Sequence, residues 1–434
     1  MKNKSNKNIL LISSYIFVIS LVISAFLFYK IYYANLTLNQ LHLDTITTNI
    51  DTNHLYSKDF IKSALTQNDT IDDKIIHYSN LEEFEKSVQI DSEAGKNIKR
   101  VYQGRRINIA ITGVDTRLGD SYKHADANHV ISVLLDSGKI EIISIPRDTY
   151  VDCGYDDTTN LNKLTVYRAI QGRNAYLDEL ARIAELDKIH YYVEFGFSQA
   201  IGLIELLGYQ NAHSTLKLLR SRVGLGGDDY QRVYNQAQFI KQNIIKNWSL
   251  LNSFPGNLLI RTGLVLSDNN LNIEIVNKIK DELNLKNFIH KTDNIKIKVK
   301  PPIPINYKIY DLLNPEIISL LSKRISDYHL KNNIDTLINS ENISKLVYNK
   351  INNYINSYEK NKSNGSYLRR LEIIFEQKGW LQIEDLEKRE ELKNKICNLL
   401  LDYYTLKKQT NKINKINQYL EIENKKNDSK LGIN

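Results

Sequence analysis

The pattern of hydrophobic and polar residues begins with an uninterrupted apolar segment near the amino terminus. Residues 9–29 (ILLISSYIFVISLVISAFLFY) contain no charge, and a helix of this length can cross the hydrocarbon core of a bilayer. Lys2, Lys4 and Lys7 precede the segment, so the positive-inside rule predicts that residues 1–8 form a cytoplasmic basic tail. A cleaved signal peptide is the alternative, but its apolar region would be overlong and no small-x-small cleavage site follows. We therefore expect a single-pass cell-membrane protein whose main domain is extracytoplasmic.

After this segment the pattern changes twice. Residues 30–100 are mainly polar and are predicted to form an extracytoplasmic stalk. From 101 to 300, short β-branched runs alternate with segments of helical spacing, which predicts an α/β fold, specifically an α/β/α sandwich. The predicted strands are 107–114, 130–135, 140–145 and 191–195, and the predicted helices are 160–172, 174–186, 199–207, 215–222 and one that runs from 228 or 229 to 248.

The last third of the chain has a different character. Pro301, Pro302 and Pro304 break the pattern, and from 317 onward it is helical, with a break at 362–365. No group of residues there indicates a chemical reaction. Residues 301–434 are therefore predicted to be a helical extension used for packing or for contact with a partner.

Charge and cysteine content add little to this picture. The formal net charge of +8 permits an anionic partner such as a phosphate, a glycan, a lipid headgroup or a nucleic acid, and it does not choose among them. Cys153 and Cys397 are too far apart in the chain for a disulfide framework or a zinc site. We expect two unpaired, partly buried thiols, with a single long-range bridge as the alternative.

Candidate chemistry is concentrated where predicted strands end and where one helix begins. Asp115 and Arg147 follow apolar strands, and the carboxyl ends of strands are where loops of an α/β sheet converge on a ligand. Arg232 and Gln236 are four residues apart, so they project from one face of a helix, with Arg232 in the first turn, where the helix dipole favours an anion. The other residues of this set are Asp126, Arg117, Arg220 and Arg222.

These residue types fit phosphate chemistry. Arginine binds phosphate oxygens with two parallel hydrogen bonds and stays charged at physiological pH. Carboxylates beside the arginines would repel a phosphate unless a cation bridged them, and Mg²⁺ held by one or two carboxylates and by the substrate's oxygens is the usual arrangement. The glycine-rich run at 224–229 (GLGGDD) lacks the lysine and the preceding strand of a phosphate loop, so it is interpreted as a turn before a helix.

In order and spacing, these segments resemble the LytR–CpsA–Psr family from about residue 107 to 248. The segments that carry the resemblance are GVDTR, Ala125-Asp126, ISIPRDTYVD and RSR followed by DDYQRVYNQ. The resemblance implies an α/β/α sandwich that binds a polyprenyl-pyrophosphate-linked glycan and, with Mg²⁺, transfers the glycopolymer to a peptidoglycan hydroxyl. The partners it implies are the lipid-linked glycan, peptidoglycan and the membrane, without nucleic acid.

The resemblance also implies roles for individual residues. Asp115 and Asp126 match the acidic residues at the metal and the pyrophosphate, and both count with Arg147 as catalytic candidates. The residues that match pyrophosphate-binding positions are Arg117, Arg220, Arg222, Arg232 and Gln236. The chain departs from the family pattern at Asn235, where the family has arginine, and at Asn160, where it has lysine.

Four functions remain open at this level. The resemblance favours a Mg²⁺-dependent glycopolymer phosphotransferase. The arginine missing at Asn235 motivates an alternative, a non-catalytic polyprenyl-pyrophosphate-binding scaffold of the same fold. A pyrophosphate hydrolase would use the same site with water as acceptor. A membrane-bound transcriptional regulator conflicts with the expected topology, because the region after Lys30 would not meet DNA.

Overall fold

The computed structural model describes residues 84, 86, 88–97, 102–225, 228–288, 294–332 and 340–431. The predicted tail at 1–8, the predicted membrane helix at 9–29 and most of the predicted stalk at 30–100 lie outside these residues. Within the described ranges, no helix is both long enough and apolar enough to span a bilayer.

A six-stranded mixed sheet forms the centre of the fold, and its strands lie in the order β6-β5-β2-β3-β4-β7. β2 pairs with β3 and β3 with β4 in antiparallel fashion, whereas β5 is parallel to β2 and β7 is parallel to β4. The strands are β2 Arg106–Asp115, β3 His124–Leu134, β4 Lys139–Ile145, β5 Tyr191–Phe195, β6 Asp268–Asn269 and β7 Ile295–Val299. All four predicted strands are present, and the mixed α/β class is confirmed.

Helices cover both faces of the sheet. Helix α1, Leu164–Ile183, packs Tyr176 and Leu180 against Val130 on one face. Helix α4, Asp229–Leu251, lies on the other face, where its Gln236 contacts His129 of β3. The remaining helices of this part are α2 Phe197–Leu206, α3 Ala212–Arg220, α5 Phe254–Leu266 and α6 Ile273–Leu285.

One predicted helix boundary is confirmed and one needs correction. The division between the predicted helices 160–172 and 174–186 is present within α1, because Gly172 has a non-helical backbone (φ 79°) that glycine adopts without a steric penalty. Helix α3 begins earlier than expected. Asn211, rather than His213 or Ser214, is its N-cap and accepts a hydrogen bond from the backbone N–H of Ser214.

A two-stranded sheet joins distant parts of the chain. β1, Gln89–Asp91, pairs antiparallel with β8, Tyr307–Ile309. Phe84 is buried in the same hydrophobic cluster as helix α7, Pro315–Lys331, which packs on α3. Residues assigned from the sequence to the stalk and to the helical extension therefore contribute to the core around the central sheet.

Residues 340–431 form a separate cluster, here called the C-terminal bundle. Its helices bury Ile351, Leu371 and Leu400 around Trp380, and the cluster includes Leu266 of α5. The helices are α8 Ser340–Lys360, α9 Gly365–Gln377, α10 Leu386–Leu406 and α11 Thr410–Leu431. The helical character and the break at 362–365 agree with the sequence pattern.

Candidate phosphate-binding site

Strand direction brings three of the candidate residues to one edge of the sheet. β2 and β4 run in the same direction, so Asp115 at the end of β2 and Arg147 just after β4 lie at the same edge. Asp126 lies near the start of the antiparallel strand β3, whose first residue, His124, is paired with Asp115. The prediction that the ends of two strands would bring Asp115 and Arg147 to one edge of the sheet is confirmed.

A β-bulge sets the direction of Asp126. The register between β2 and β3 shifts after Gly113, which pairs with Ala127 while Val114 pairs with Ala125, so Asp126 has no partner on β2. An extra residue of this kind re-aims a side chain relative to the pleat. Asp126 consequently contacts Arg232 of α4, on the opposite face of the sheet from α1.

The other basic residues come from α3 and α4. Arg220 is the last residue of α3 and lies over the ring of Phe197 at 5.1 Å, with Arg222 two residues further on. The Asp228 side chain caps α4 by accepting a hydrogen bond from the N–H of Tyr230. This capping places Asp229 and Arg232 in the first turn of α4, directed towards Arg147 and Asp126.

Asp126 is the centre of the site, because three guanidinium groups surround its carboxylate. Arg147 hydrogen-bonds to Oδ1 of Asp126, Arg232 Nη1 lies 3.7 Å from the same oxygen, and Arg220 Nε lies 3.8 Å from Oδ2. The side chain of Asp126 is 12% exposed and that of Arg232 only 2%. Charged groups this deeply buried persist only when they are paired.

A second carboxylate, Asp229, extends the cluster. Its Oδ1 lies 2.7 Å from Arg232 Nη2 and 3.2 Å from Arg222 Nε, and its Oδ2 accepts a 3.1 Å hydrogen bond from the backbone N–H of Arg147. Arg222 also pairs with Asp148 at 3.1 Å. The ionic cluster of the site thus comprises Asp115, Asp126, Arg147, Asp148, Arg220, Arg222, Asp229 and Arg232.

The two buried carboxylates are perturbed in opposite directions. Burial would raise the pKa of Asp126, but the charges of the three neighbouring guanidinium groups outweigh it and lower the pKa below its ordinary value. Burial raises the pKa of Asp229, and the nearby charge of Asp148 adds to this effect. Asp126 is therefore the more firmly ionised of the pair.

Two donors of the cluster have no hydrogen-bond acceptor. The buried Nε atoms of Arg147 and Arg232 donate no hydrogen bond to any described residue. Unsatisfied buried donors are costly, and arginine donors directed at one place are the arrangement that phosphate oxygens accept. The cluster therefore has spare capacity for an anion with several oxygens.

Two predicted residues lie outside this ionic cluster. Gln236 is buried and both atoms of its amide are used: Oε1 accepts a 3.1 Å hydrogen bond from His129 Nε2, and Nε2 donates at 2.9 Å to the carbonyl of Leu219. That second bond holds the residue before Arg220. Arg117 has an exposed side chain that forms no ion pair with any described residue. A direct pyrophosphate contact for Arg117 or Gln236 stays a prediction.

His129 connects the site to the sheet. Its Nδ1 is 2.8 Å from the hydroxyl of Ser144, and burial, together with the charge of Arg232, lowers its pKa to about 4 even though the Gln236 hydrogen bond acts in the opposite direction. The imidazole is therefore neutral at physiological pH. Sequence reasoning missed this residue, because a histidine inside an apolar strand gives no sign of its partners.

Asp229 and Asp148 were also not predicted as members of the site. Asp229 was predicted only as a possible helix start, and Asp148 lies in the segment ISIPRDTYVD without a role of its own. The i, i+3 spacing of Asp229 and Arg232 was a usable signal, since such pairs meet on a helix surface.

The departure at Asn235 does not remove any member of the ionic cluster. Asn235 is buried and accepts a 2.8 Å hydrogen bond from Gln231, which also donates to the carbonyl of Lys308 in β8. The side chain of Asn235 is thus held towards β8, and the four guanidinium groups of the cluster are in place beside it.

The positions of the carboxylates indicate which of them could bind a metal ion. Within the described part of the chain, no three histidine, cysteine or acidic side chains are grouped so that they alone could hold a metal ion. Asp115, which is 55% exposed, lies 3.8 Å from Arg220, as Asp126 does. Both carboxylates can therefore approach one position, which fits the mode in which Mg²⁺ takes two carboxylates and completes its shell with substrate oxygens and water.

Comparison with known proteins agrees with the resemblance seen in the sequence. The model of the LytR_cpsA_psr family matches residues 74–209. A relative from Oceanobacillus iheyensis, named polyisoprenyl-teichoic acid–peptidoglycan teichoic acid transferase TagU, is 28% identical over 131 residues. That match covers 29% of this chain and 40% of the relative, so the chain spans less than half of the relative's length.

Two solved structures show a weak likeness to the chain. TagV of Bacillus subtilis is 16% identical, with a TM-score of 0.39, and the match covers 52% of this chain and 99% of TagV. A structure titled "TagT bound to LIIa-WTA" is 18% identical with a TM-score of 0.33, covering 53% of this chain and 94% of that one.

Proposed function

Because residues 74–209 match the LytR–CpsA–Psr family, as the sequence had suggested, we propose that this protein is a glycopolymer phosphotransferase. Its donor is a glycan linked to a polyprenyl pyrophosphate, and its acceptor is a hydroxyl group of peptidoglycan. The relative that matches part of the chain carries the name of a teichoic acid transferase, which supports this class of reaction.

The observation that carries the proposal is the cluster around Asp126. Three guanidinium groups converge on one buried carboxylate, and donors of Arg147 and Arg232 are left without acceptors. Removal of a single such donor from a site that stabilises developing negative charge typically costs a factor of about 10² to 10³ in rate. Arg147, Arg220 and Arg232 are the residues that would bind the phosphate oxygens.

The charge balance supports a cation as part of the substrate complex. The cluster holds four arginines and four aspartates, and Lys163 adds one positive charge 3.6 Å from Asp148. A pyrophosphate diester brings two negative charges, so the occupied site would be negative without a cation. Mg²⁺ held by Asp115 and Asp126 would balance that charge and supply Lewis-acid assistance when bound.

The transfer itself requires one bond to form and one to break. The oxygen of the acceptor hydroxyl bonds to the phosphorus that carries the glycan, while the bond from this phosphorus to the bridging oxygen breaks. The departing lipid monophosphate carries the second phosphate, and the proton lost by the hydroxyl balances its charge. The arginines hold the equatorial oxygens and orient the diphosphate, which is the main protein contribution in phosphoryl transfer.

Anchoring by residues 9–29 belongs to the same proposal. A lipid-linked donor lies in the membrane, so an enzyme held beside the bilayer would meet it at high effective concentration. The extracytoplasmic position follows from the lysines before the segment. A reporter fused after residue 200 and found in the cytoplasm would exclude this topology and revive the regulator hypothesis.

A purified full-length chain, a synthetic polyprenyl-pyrophosphate glycan and a peptidoglycan fragment provide the test. We expect Asp126→Asn and Arg232→Met to lower transfer by a factor of about 10² or more. Asp136→Asn is the matched control, because Asp136 pairs with Arg105 at the opposite end of β3, where both side chains are exposed. Unchanged transfer in both site variants would refute the proposal.

The same assay separates the alternatives. Release of phosphorylated glycan in the absence of an acceptor would identify a hydrolase. A rise in melting temperature with the donor, without any product, would identify the non-catalytic scaffold. All four guanidinium groups of the ionic cluster are in place although Asn235 stands where the family has arginine, which supports the transferase over the scaffold.

A further inference from the structure

A cavity lies beside the strand end that carries Asp115, between the sheet and the C-terminal bundle. Its volume is about 650 Å³. Val114 and Thr116, on either side of Asp115, line one part of it, and Arg261 of α5 lines another. Lys378 and Tyr419 of the C-terminal bundle close the remaining side. The bundle thus contributes a wall to a space whose lining includes both chain neighbours of Asp115.

Lys378 is an unusual residue for a cavity wall. Only 3% of it is exposed, and its ammonium lies 3.7 Å from the ring centroid of Phe375 and 4.4 Å from that of Tyr419. It forms no ion pair with any residue of the described ranges. Aromatic faces stabilise a cation by about 0.5–2 kcal/mol, which is less than a buried charge loses on leaving water.

Three of the four carboxylates that line the cavity have cationic partners. Glu194 lies 2.7 Å from Lys123, and Glu376 lies 3.7 Å from Lys415. Asp268 pairs with Lys123 at 3.4 Å and also with Arg173. The fourth, Asp120, forms no ion pair with a described residue and accepts a hydrogen bond from the backbone N–H of Tyr122. Arg261, like Lys378, has no carboxylate partner among the described residues, so two cations and one carboxylate of the lining are unpaired and the unpaired charge is positive.

We propose that this cavity is a binding subsite for an anionic group, with Lys378 and Arg261 as its counter-charges. The inference rests on the proposed function, because we assign the anionic group to the glycopolymer that extends from the pyrophosphate at Asp126. The ligand class is a phosphate or a sugar carboxylate. A polymer that carries such groups along its length would be recognised by the C-terminal bundle.

The electrostatic surroundings of Lys378 agree with this assignment. Burial lowers the pKa of Lys378 to about 7, and the charge of Lys415 adds to this effect. Cys397, Glu376 and Glu423 act in the opposite direction without compensating for burial. A bound anion would restore the lost charge stabilisation and keep the ammonium protonated.

The test measures binding to the full chain by calorimetry at neutral pH. Three oligomers of equal length serve as probes: one of glycerol phosphate, one of glucuronic acid and one of neutral glucose. We expect both or one of the charged oligomers to bind at least about ten times more tightly than the neutral one, with the preferred oligomer identifying the anionic group. Equal binding of all three would overturn the inference.

Variants assign the binding to the cavity. Lys378→Met should weaken the preferred oligomer by a factor of about ten, and Lys378→Arg should weaken it less because the charge is kept. Lys246→Met is the matched control, since Lys246 also lies near an aromatic ring, that of Tyr209 at 5.7 Å, but does not line the cavity. If Lys378→Met fails to fold, Arg261→Gln, at an exposed position, gives the same test. Undiminished binding in the folded variants would refute the subsite.

The outcome is independent of the transfer assay. A chain that binds the charged oligomers through Lys378 but transfers no glycan contradicts only the proposed function. A chain that transfers glycan but binds the charged oligomers equally well after substitution of Lys378 or Arg261 contradicts only the subsite.

Discussion

The neutral, buried His129 predicts a specific dependence of stability on pH. Its pKa is about 4 in the folded protein, against about 6.5 for an unperturbed histidine, so the unfolded chain binds the proton more tightly between these values. Stability is then lost as the pH falls from about 6.5 towards 4. The loss approaches about 3 kcal/mol below pH 4 and is about 1.4 kcal/mol near pH 5.5.

The substitution His129→Gln isolates this effect from the other groups that titrate in acid. Glutamine does not titrate, so the difference in unfolding free energy between the two proteins should change by about 1.4 kcal/mol between pH 8 and about pH 5.5. Urea unfolding at each pH, followed by circular dichroism, provides the measurement. Most of the remaining acid sensitivity, including that of Asp126, is present in both proteins and cancels.

The comparison of the two proteins at pH 8 serves as the control, because His129 is neutral at that pH in both the folded and the unfolded state. The difference at pH 8 reports the lost bonds to Ser144 and Gln236. A difference that stays constant down to pH 5.5 would refute the reasoning. So would a nuclear magnetic resonance titration in which the imidazole of His129 is protonated near pH 6.5.

Two further predictions concern other parts of the fold. Glu194→Ala should destabilise the protein by about 3–5 kcal/mol in denaturant unfolding, because this carboxylate, which is 2% exposed, neutralises Arg168, Arg173 and Lys123. Glu179→Ala, which removes a partner of the exposed Arg182, should cost under about 1 kcal/mol, and similar losses for both variants would contradict the pairing. Gln377→Ala should speed hydrogen exchange at the amide of Gly119, because Gln377 accepts a 2.9 Å hydrogen bond from this amide and also donates to the carbonyls of Arg117 and Asp120. Gln382→Ala, which removes a bond to Ser198, should leave that exchange unchanged, and unchanged exchange in Gln377→Ala would show that Gln377 does not stabilise the loop after Asp115.

The extent of prediction from the sequence depended on the range of the interactions. Strands such as 191–195 were located well, because β-branched runs bounded by turn residues identify buried strands locally. The placement of Asp115 and Arg147 at one edge of the sheet also followed from local information, since strand ends converge there.

Partners from distant segments were not accessible in this way. The bulge at Asp126 depends on the register between two strands, and the use of Gln236 by His129 depends on how α4 lies on the sheet. Neither leaves a periodic trace in the chain. By contrast, the interruption at Gly172 was anticipated, because the two predicted helices were divided just after it.

The contribution of the C-terminal bundle was missed for the same reason. Its sequence shows helical spacing without any catalytic residue type, and Lys378 resembles many other lysines of the chain. Only the packing of α9 and α11 against the loop after β2 gives this lysine its surroundings. Packing of this kind is set by side-chain contacts between segments more than 250 residues apart in the chain, such as Gln377 and Gly119.

The position of β7 in the sheet has a consequence for how the protein is made. β4 ends at Ile145, but its outer neighbour β7 begins only at Ile295, about 150 residues later. At synthesis rates of about 5–20 residues per second, the apolar edge KIEIISI would wait roughly 8–30 s for its partner. An unpaired apolar edge is a template for aggregation. The nascent chain should therefore depend on a chaperone during this interval, and a fragment ending near residue 209 would keep that edge exposed permanently.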